Sequence, residues 1–275
     1  MLATLNDLLP PAVAGRYAVP CFNVFGSEEV VAILAAARES GRGVILACNR
    51  DMADHLGVTG FAGMVRGLAH EAPVPVCLHL DHCDDEARIA AALQAGFSSV
   101  MFDGSQLPLA ENIARTAAMA RLAHSVGASL EGEIGSVPYS EGRDHIKSEF
   151  THPLDAQTFA DHSGADAMAI SVGNVHRLTS VQSTIDFARV ERIAASTHVP
   201  LVIHGTSGIA EADIRRLKTL GVAKFNIGTS LRQAFNRSLR QSLADSPDCF
   251  DRLQLMRPVV QAVQAEARRM IELLE

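Results

Sequence analysis

The sequence contains no tryptophan, and aromatic residues make up only 5% of its 275 positions. Basic residues are outnumbered, with 24 Lys and Arg against 31 Asp and Glu, which gives a formal net charge of −7. Surfaces that bind nucleic acids rely on basic patches and on aromatic rings that stack on bases. The composition therefore argues against a nucleic-acid-binding protein and is compatible with a small polar or anionic substrate.

Long apolar runs are missing as well, since none approaches the roughly 20 residues that a membrane-spanning helix needs. The N-terminal segment lacks the basic region of a secretory signal peptide. The five cysteines are odd in number, widely spaced and without a C-x-x-C pair, which is typical of buried reduced thiols rather than of disulfides or cysteine-bound zinc. These absences predict a cytoplasmic protein that acts away from membranes.

Short apolar runs alternate eight times with longer amphipathic or Ala-rich stretches. The predicted strands are Ala18–Asn23, Val44–Cys48, Val74–Leu80, Ser98–Phe102, Ser129–Ile134, Ala167–Val172, Pro200–His204 and Val222–Ile227. The predicted helices are Ser27–Glu39, Gly60–Glu71, Asp84–Ala95, Leu109–Val126, Asp155–Ser163, Asp186–Thr197, Ile209–Leu220 and Thr229–Leu243. Nearly continuous apolar strands are typical of a parallel sheet that helices cover. The pattern predicts an α/β protein, a single (β/α)8 TIM-barrel domain over residues 1–275.

Three segments fall outside this alternation. Thr4–Ala14 is predicted to form a helix that caps the bottom of the barrel, and Phe250–Leu274 an extra C-terminal helix. The apolar stripe of that last helix packs either on its own barrel or on another subunit. Ser136–Thr151 is polar, has no clear period and is too long for an ordinary connection, and loops of this length are often lids.

Histidines follow three of the predicted strands. His82 comes at the end of the third strand, His176 after the sixth and His204 at the end of the seventh. Because the active site of such a barrel lies at the C-terminal ends of its strands, the three imidazoles converge on one mouth. Neutral imidazoles suit Zn²⁺, and a catalytic zinc keeps three protein ligands and one open position. The three histidines together predict a zinc site, whereas any one of them alone is more typical of a polar loop residue.

Acidic residues surround the same mouth. Asp81 directly precedes His82, which is a position for a general base or for a carboxylate that orients an imidazole. Asp103 ends the fourth strand, and Glu131 and Glu133 share one face of the fifth. A pair of carboxylates that faces the barrel axis is costly unless a cation or hydrogen bonds compensate it.

Glycine and hydroxyl residues follow the seventh and eighth strands. His204–Gly208 and Asn226–Ser230 run directly into predicted helices. The N–H groups at a helix N-terminus bind phosphate, and barrels often hold phosphate after strands seven and eight. Either segment alone is more typical of an N-cap. Together, and in this place, they predict a phosphorylated substrate.

Five segments carry a resemblance to a known family. The chain has L-H-L-D-H at 78–82, D-G-S at 103–105, E-G-E-I-G at 131–135, H-G-T-S-G at 204–208 and N-I-G-T at 226–229. In this order they resemble the class II, metal-dependent ketose-bisphosphate aldolases over nearly the whole chain, with most similarity to the tagatose-bisphosphate branch. The resemblance implies a lyase of carbohydrate metabolism that reversibly cleaves a ketose (bis)phosphate to dihydroxyacetone phosphate and an aldehyde. It implies a zinc-stabilised enediolate, one Zn²⁺ per subunit and a homodimer or homotetramer.

The resemblance also implies roles for individual residues. His82, His176 and His204 correspond to the zinc ligands, and Asp103 and Glu133 to an alternative metal position. Asp81 corresponds to the acid/base on the C4 hydroxyl, and Glu141 to the lid glutamate that handles the proton on C3 of dihydroxyacetone phosphate. The substrate and phosphate contacts fall at Asn23, Asn49, Arg177, Gly205, Ser207, Asn226, Gly228 and Thr229.

Four departures from the family pattern surround the substrate rather than the metal. Arg177 stands where the family usually has glycine beside the phosphate and a monovalent cation. Pro138 and Tyr139 replace two lid glycines, Asn49 replaces a serine, and Gly228 replaces Asp or Ala. We therefore expect zinc chemistry on a substrate other than fructose or tagatose 1,6-bisphosphate, with fixed positive charge from Arg177 in place of the monovalent cation.

Two other functions stay open at the level of sequence. A metal-dependent phosphosugar isomerase or epimerase would use the same enediolate without breaking a carbon–carbon bond. A noncatalytic partner subunit related to the aldolases would explain the altered lid and phosphate loop. Such a subunit, however, has no evident need for the costly polar cluster formed by Asp81 and the three histidines.

Overall fold

A computed structural model of the chain describes residues 2–142 and 146–275. Its strands are β1 (Val19–Asn23), β2 (Val44–Cys48), β3 (Val76–Cys83), β4 (Ser99–Phe102), β5 (Ser129–Ile134), β6 (Ala167–Ile170), β7 (Leu201–Ile203) and β8 (Val222–Ile227). Each strand pairs in parallel with the next, and β8 pairs with β1, so the sheet closes into a barrel. The predicted (β/α)8 TIM barrel is confirmed.

Ten helices are present in the described residues. They are α1 (Leu5–Gly15), α2 (Ser27–Ser40), α3 (Arg50–Ala69), α4 (Glu86–Ala95), α5 (Leu109–Ser125), α6 (Pro153–Ser163), α7 (Phe187–Ser196), α8 (Glu211–Thr219), α9 (Thr229–Asp245) and α10 (Arg252–Leu274). A short 3₁₀ turn, Thr206–Gly208, follows β7. Within the described residues, every helix is too short or too polar to cross a lipid bilayer.

Alternating side chains divide the apolar residues into two cores. Residues that point outward from the strands pack against the surrounding helices, whereas Cys21, Ile45 and Met101 belong to a second cluster inside the barrel. Helix α1 joins this inner cluster through residues such as Leu5 and Leu9, and it closes the barrel at the end opposite the active-site mouth, as predicted. The apolar plug leaves the other end of the barrel for polar side chains.

Two predicted boundaries were wrong by three residues or more. Helix α3 begins at Arg50 rather than at Gly60. Its regular conformation is interrupted at Gly57, which has a φ of +75°, so the turns before this kink do not continue the pattern of those after it. Strand β3 continues to Cys83 rather than ending at Leu80, so Asp81 and His82 belong to the strand itself. A polar strand end has no apolar pattern that would mark it as a strand.

The C-terminal helix α10 packs on its own barrel. Met256, Val259 and Val263 of its apolar stripe are buried, and the helix lies against α2 and α9. Leu253, at the start of the stripe, is 69% exposed. Of the two interpretations offered by the sequence, packing on the chain's own barrel accounts for most of this stripe.

The predicted lid, Ser136–Thr151, is described at 136–142 and 146–151. Its two ends are joined, because the backbone groups of Ser136 and Glu149 exchange hydrogen bonds of 2.7 and 3.0 Å. The Thr151 hydroxyl also donates to the carbonyl oxygen of Ile134. These contacts fix the two ends of the loop relative to the end of β5.

Glu29 generates a prediction for the pH dependence of stability. The residue is 5% exposed in the first turn of α2, and burial raises the pKa of its carboxyl from 4.5 to about 7. The protonated form therefore favours the folded state, and this contribution is lost as the pH rises through 7. Between about pH 5 and pH 8 we expect the group to remove roughly 2 to 3 kcal/mol of unfolding free energy.

Denaturant unfolding of the wild type and of Glu29→Gln at these two pH values checks this expectation. The amide cannot ionise, so the variant should lose less unfolding free energy than the wild type between the two conditions. Identical losses in the two proteins would contradict the assignment.

Candidate active site

One cavity at the C-terminal ends of the strands gathers most of the predicted site. Its wall contains Asn23, Asn49, Asp81, His82, His176, Arg177, Gly205, Ser207, Asn226, Gly228 and Thr229. The predicted residues outside this wall are Asp103, Glu133, Glu141 and the fully buried His204. Asp103 and Glu133 line an adjoining cavity that shares His82 and His176 with the first. Glu141 is exposed and lines neither cavity.

A β-bulge brings two consecutive residues of β3 to the same cavity. Leu80 pairs with Val100 and Cys83 with Phe102, so three steps along β3 match two steps along β4. His82 within this irregularity has a φ of +50°. Side chains of consecutive residues in a regular strand point to opposite faces, but here Asp81 and His82 both reach the cavity.

The three imidazoles meet beside the cavity, where His82 and His176 line the wall and His204 is fully buried next to them. His82 Nε2 lies 2.7 Å from His204 Nδ1, and the ring centroids of His82 and His176 are 4.9 Å apart. One ring nitrogen from each histidine lies within 4.8 Å of the others. His176 Nε2 is buried and makes no hydrogen bond. Two buried nitrogens 2.7 Å apart need a proton or a cation between them, so the donor set fits a metal ion.

The charges on these imidazoles differ. Burial opposes protonation of His82, but Tyr139, Asp81 and Asp103 together raise its pKa well above the ordinary value. Burial and then the charge of His82 lower the pKa of His176 and of His204. The acidic neighbours of His82 thus favour positive charge on that ring, and this charge in turn disfavours protonation of the other two.

Carboxylates orient two of the three rings. Asp103 Oδ2 lies 3.0 Å from His82 Nδ1, and Glu131 Oε1 lies 2.9 Å from His204 Nε2. A ring N–H that donates to a carboxylate leaves the opposite nitrogen for a metal. Glu133 Oε2 is 3.7 Å from His82 Nδ1, and His82, Asp103 and Glu133 form a second group with metal-ligand spacing. That spacing is compatible with the alternative metal position.

Asp81 is held between two amides. Asn23 Nδ2 donates to its Oδ2 at 3.0 Å, and Asn226 Nδ2 donates to its Oδ1 at 2.9 Å. Burial raises the pKa of Asp81, but the positive charge of His82 and of other nearby groups outweighs burial and holds it well below the ordinary value. The carboxylate is thus ionised, buried and hydrogen-bonded. Because it is unprotonated, it is able to act as a general base beside the three imidazoles.

Lys224 is a functional candidate that sequence reasoning missed. It is fully buried in β8, and its Nζ lies 2.8 Å from Glu131 Oε2 and 2.6 Å from Asn226 Oδ1. The lysine thereby connects the carboxylate that orients His204 with the amide that holds Asp81. The available signal was a lysine inside an otherwise apolar strand, two residues before Asn226 and on the same strand face.

The two glycines predicted to contact phosphate, Gly205 and Gly228, line the cavity. Gly205 has a φ of +70°, and a Cβ there would lie 2.4 Å from the carbonyl oxygen of Val175. Any larger residue at position 205 would therefore be strained and would clash with the backbone, whether or not Gly205 also contacts a ligand. The Ser207 hydroxyl donates to the carbonyl oxygen of Leu178, while the buried Thr206 hydroxyl makes no hydrogen bond.

Arg177 adopts a left-handed backbone conformation, which glycine accepts without strain. Its φ is +63°, and its guanidinium lies 3.3 Å from Asp51 and 5.4 Å from the ring centre of Tyr139. The cavity wall also contains Arg50 and Arg232, which sequence reasoning did not single out. The arginines place positive charge at the mouth, where an anionic substrate would enter.

A closed parallel barrel with its polar residues gathered at the C-terminal strand ends is the architecture of a TIM-barrel enzyme. The model of the family described as class-II fructose-bisphosphate aldolase matches residues 3–275, and the chain belongs to this family. It is a class II aldolase, a carbon–carbon lyase, which confirms the function predicted from the sequence.

Named relatives agree with this assignment. The chain is 35% identical over 272 residues to the fructose-bisphosphate aldolase of Geobacillus stearothermophilus, covering 96% of this chain and 93% of that protein. It is 33% identical over 274 residues to the D-tagatose-1,6-bisphosphate aldolase subunit GatY of Klebsiella oxytoca, covering 98% and 96%. The solved YdjI aldolase from Escherichia coli K12 has a TM-score of 0.85 at 31% identity, covering 100% of this chain and 97% of that one. The two sugar-named relatives are almost equally similar, so the tagatose branch stays a prediction.

The buried Lys224–Glu131 pair predicts a large effect on stability. Lys224→Met leaves the Glu131 carboxylate buried without its cation, so we expect the free energy of unfolding to fall by about 3 to 5 kcal/mol. Lys218→Met is the matched control, because Lys218 is partly exposed and its Nζ donates to the carbonyl oxygen of Leu273 rather than to a buried carboxylate. Urea unfolding measures both variants, and equal losses would contradict the role assigned to the pair.

Proposed function

We propose that this aldolase cleaves a ketose phosphate reversibly to dihydroxyacetone phosphate and an aldehyde, with one Zn²⁺ per subunit held by His82, His176 and His204. The observation that carries the proposal is the meeting of three imidazole nitrogens beside an ionised, hydrogen-bonded Asp81. The family and the named aldolases support it, and neither an isomerase nor a noncatalytic subunit is favoured.

The protein residues divide the proton transfers between them. When bound, the metal ion supplies Lewis-acid stabilisation of the negative charge that develops on the substrate oxygens as the C3–C4 bond breaks. Asp81 accepts the proton of the C4 hydroxyl, so that the leaving half departs as an aldehyde. Glu141 then delivers a proton to C3 and completes dihydroxyacetone phosphate. Because Glu141 lines neither cavity in the structure, this second role requires its carboxyl group to come closer to the substrate.

The remaining residues of the cavity wall bind the substrate in this proposal. Asn23 and Asn226 hold Asp81. Gly205, Ser207, Gly228, Thr229 and Arg177 form the end that binds phosphate, and Asn49 contributes to the same cavity wall. The changes at 49, 138, 139, 177 and 228 favour a substrate that differs from fructose or tagatose 1,6-bisphosphate. Arg177 takes the place of a monovalent cation. We further propose a cytoplasmic homodimer or homotetramer, and the free, mostly buried cysteines support the cytoplasmic location.

Hydrogen exchange separates the two proton roles. Incubation of the metal-loaded enzyme with dihydroxyacetone phosphate in D₂O should exchange one C3 hydrogen, as followed by NMR, without any knowledge of the aldehyde. Glu141→Gln should slow this exchange by about 10²-fold or more. Asp81→Asn should retain the exchange, because Asp81 acts only on the C4 hydroxyl, but should lose ketose cleavage.

The metal-free enzyme is the control for this experiment and should show no exchange. If the metal-loaded wild type also fails to exchange hydrogen, dihydroxyacetone phosphate is not the donor half of the reaction. If Asp81→Asn and Glu141→Gln have the same effect on exchange, the division of roles is wrong.

Arg177 gives a prediction about substrate affinity. Arg177→Gly removes the guanidinium at a backbone position where glycine is unstrained, so the fold should persist. Loss of a charge-assisted contact to phosphate should raise KM for a phosphorylated substrate by about tenfold or more, with a smaller change in kcat. Steady-state kinetics measure this, and an unchanged KM would rule out the contact.

A further inference from the structure

His176 differs from the other two imidazoles in what surrounds its ring. His82 has Asp103 as its carboxylate partner, and His204 has Glu131. Across residues 2–142 and 146–275, no carboxylate makes a hydrogen bond to the ring of His176, whose Nε2 is buried without a partner. The orientation of this ring must therefore be set by another kind of contact.

The ring of Tyr139 provides that contact. Its centroid lies 4.4 Å from that of His176, and the two planes are inclined by only 20°. The other two imidazoles meet His176 edge-on, at interplanar angles of 72° and 79°. A flat ring stacked at this distance restricts rotation of the imidazole about its Cβ–Cγ bond, whereas an edge contact leaves more freedom.

The backbone fixes Tyr139 beside His176 from both sides. The N–H of His176 donates to the carbonyl oxygen of Pro138 at 2.8 Å, and the N–H of Ser140 donates to the carbonyl oxygen of His176 at 3.1 Å. The two segments thus form a short parallel bridge centred on Tyr139 and His176. Proline has a fixed φ, so Pro138 lowers the freedom of the chain that leads into the bridge.

We propose that Tyr139 is a positioning residue that holds the His176 imidazole ready for a metal ion, as Asp103 and Glu131 do for the other two rings. The inference rests on the metal centre proposed above. The two glycines that the family usually carries at 138 and 139 have no side chain with which to do this. In this chain the metal site is therefore completed by the loop after β5 as well as by the barrel strands.

Metal binding in the absence of substrate tests the proposal. Tyr139→Phe keeps the stacked ring, whereas Tyr139→Leu keeps apolar bulk but loses the flat face. Metal-stripped full-length proteins would be titrated with Co²⁺ against a chelator, with its visible absorption as the signal. We expect Tyr139→Leu to bind Co²⁺ about 10- to 100-fold more weakly than the wild type, and Tyr139→Phe to stay within about threefold.

Each outcome of the titration decides the proposal. Equal affinity of Tyr139→Leu and the wild type overturns it, and an equal loss in Tyr139→Phe and Tyr139→Leu also overturns it, because the hydroxyl rather than the stacked ring would then be responsible. A wild type that binds no Co²⁺ refutes the metal centre itself and with it this inference.

Thermal unfolding of the metal-free proteins controls for the fold. If Tyr139→Leu melts earlier than the wild type, the same comparison is made with Tyr139→Met.

Discussion

The ion pair between Lys224 and Glu131 is the contact on which the polar end of the barrel depends. Both side chains are fully buried, and neither charge is tolerable there without the other. Glu131 uses its second oxygen to orient His204, and Lys224 uses a second hydrogen to fix Asn226, which in turn holds Asp81. The proposed metal ligands and the proposed acid/base residue thus share one support inside the barrel.

Much of the fold could be predicted because parallel barrel strands are short, apolar and regularly separated by helices. All eight strand–helix units and both terminal helices occur where the periodicity placed them. The start of α3 was missed since Gly57 interrupts the helix, and the end of β3 was missed since its last residues are polar. Hydrophobic periodicity carries no information at such positions.

The site residues at strand ends could be predicted, whereas the contacts between side chains of distant segments could not. The three histidines and Asp81 could be placed together from topology alone. The pairing of Lys224 with Glu131 joins β8 to β5, which are not neighbours in the sheet, so no spacing in the sequence encodes it. The stack of Tyr139 on His176 depends on how one loop lies against another, which periodicity does not describe either.

The bulge in β3 has a consequence for anyone who wishes to rebuild this site in another barrel. Asp81 and His82 are adjacent in sequence, yet both reach the cavity because an extra residue and a left-handed backbone at His82 turn the second side chain around. Grafting the same residue types onto a regular strand would send one of the two toward the helices. A transplanted site therefore needs the irregular strand together with its side chains. The residue at the position of His82 must also adopt a left-handed backbone conformation, which β-branched residues avoid.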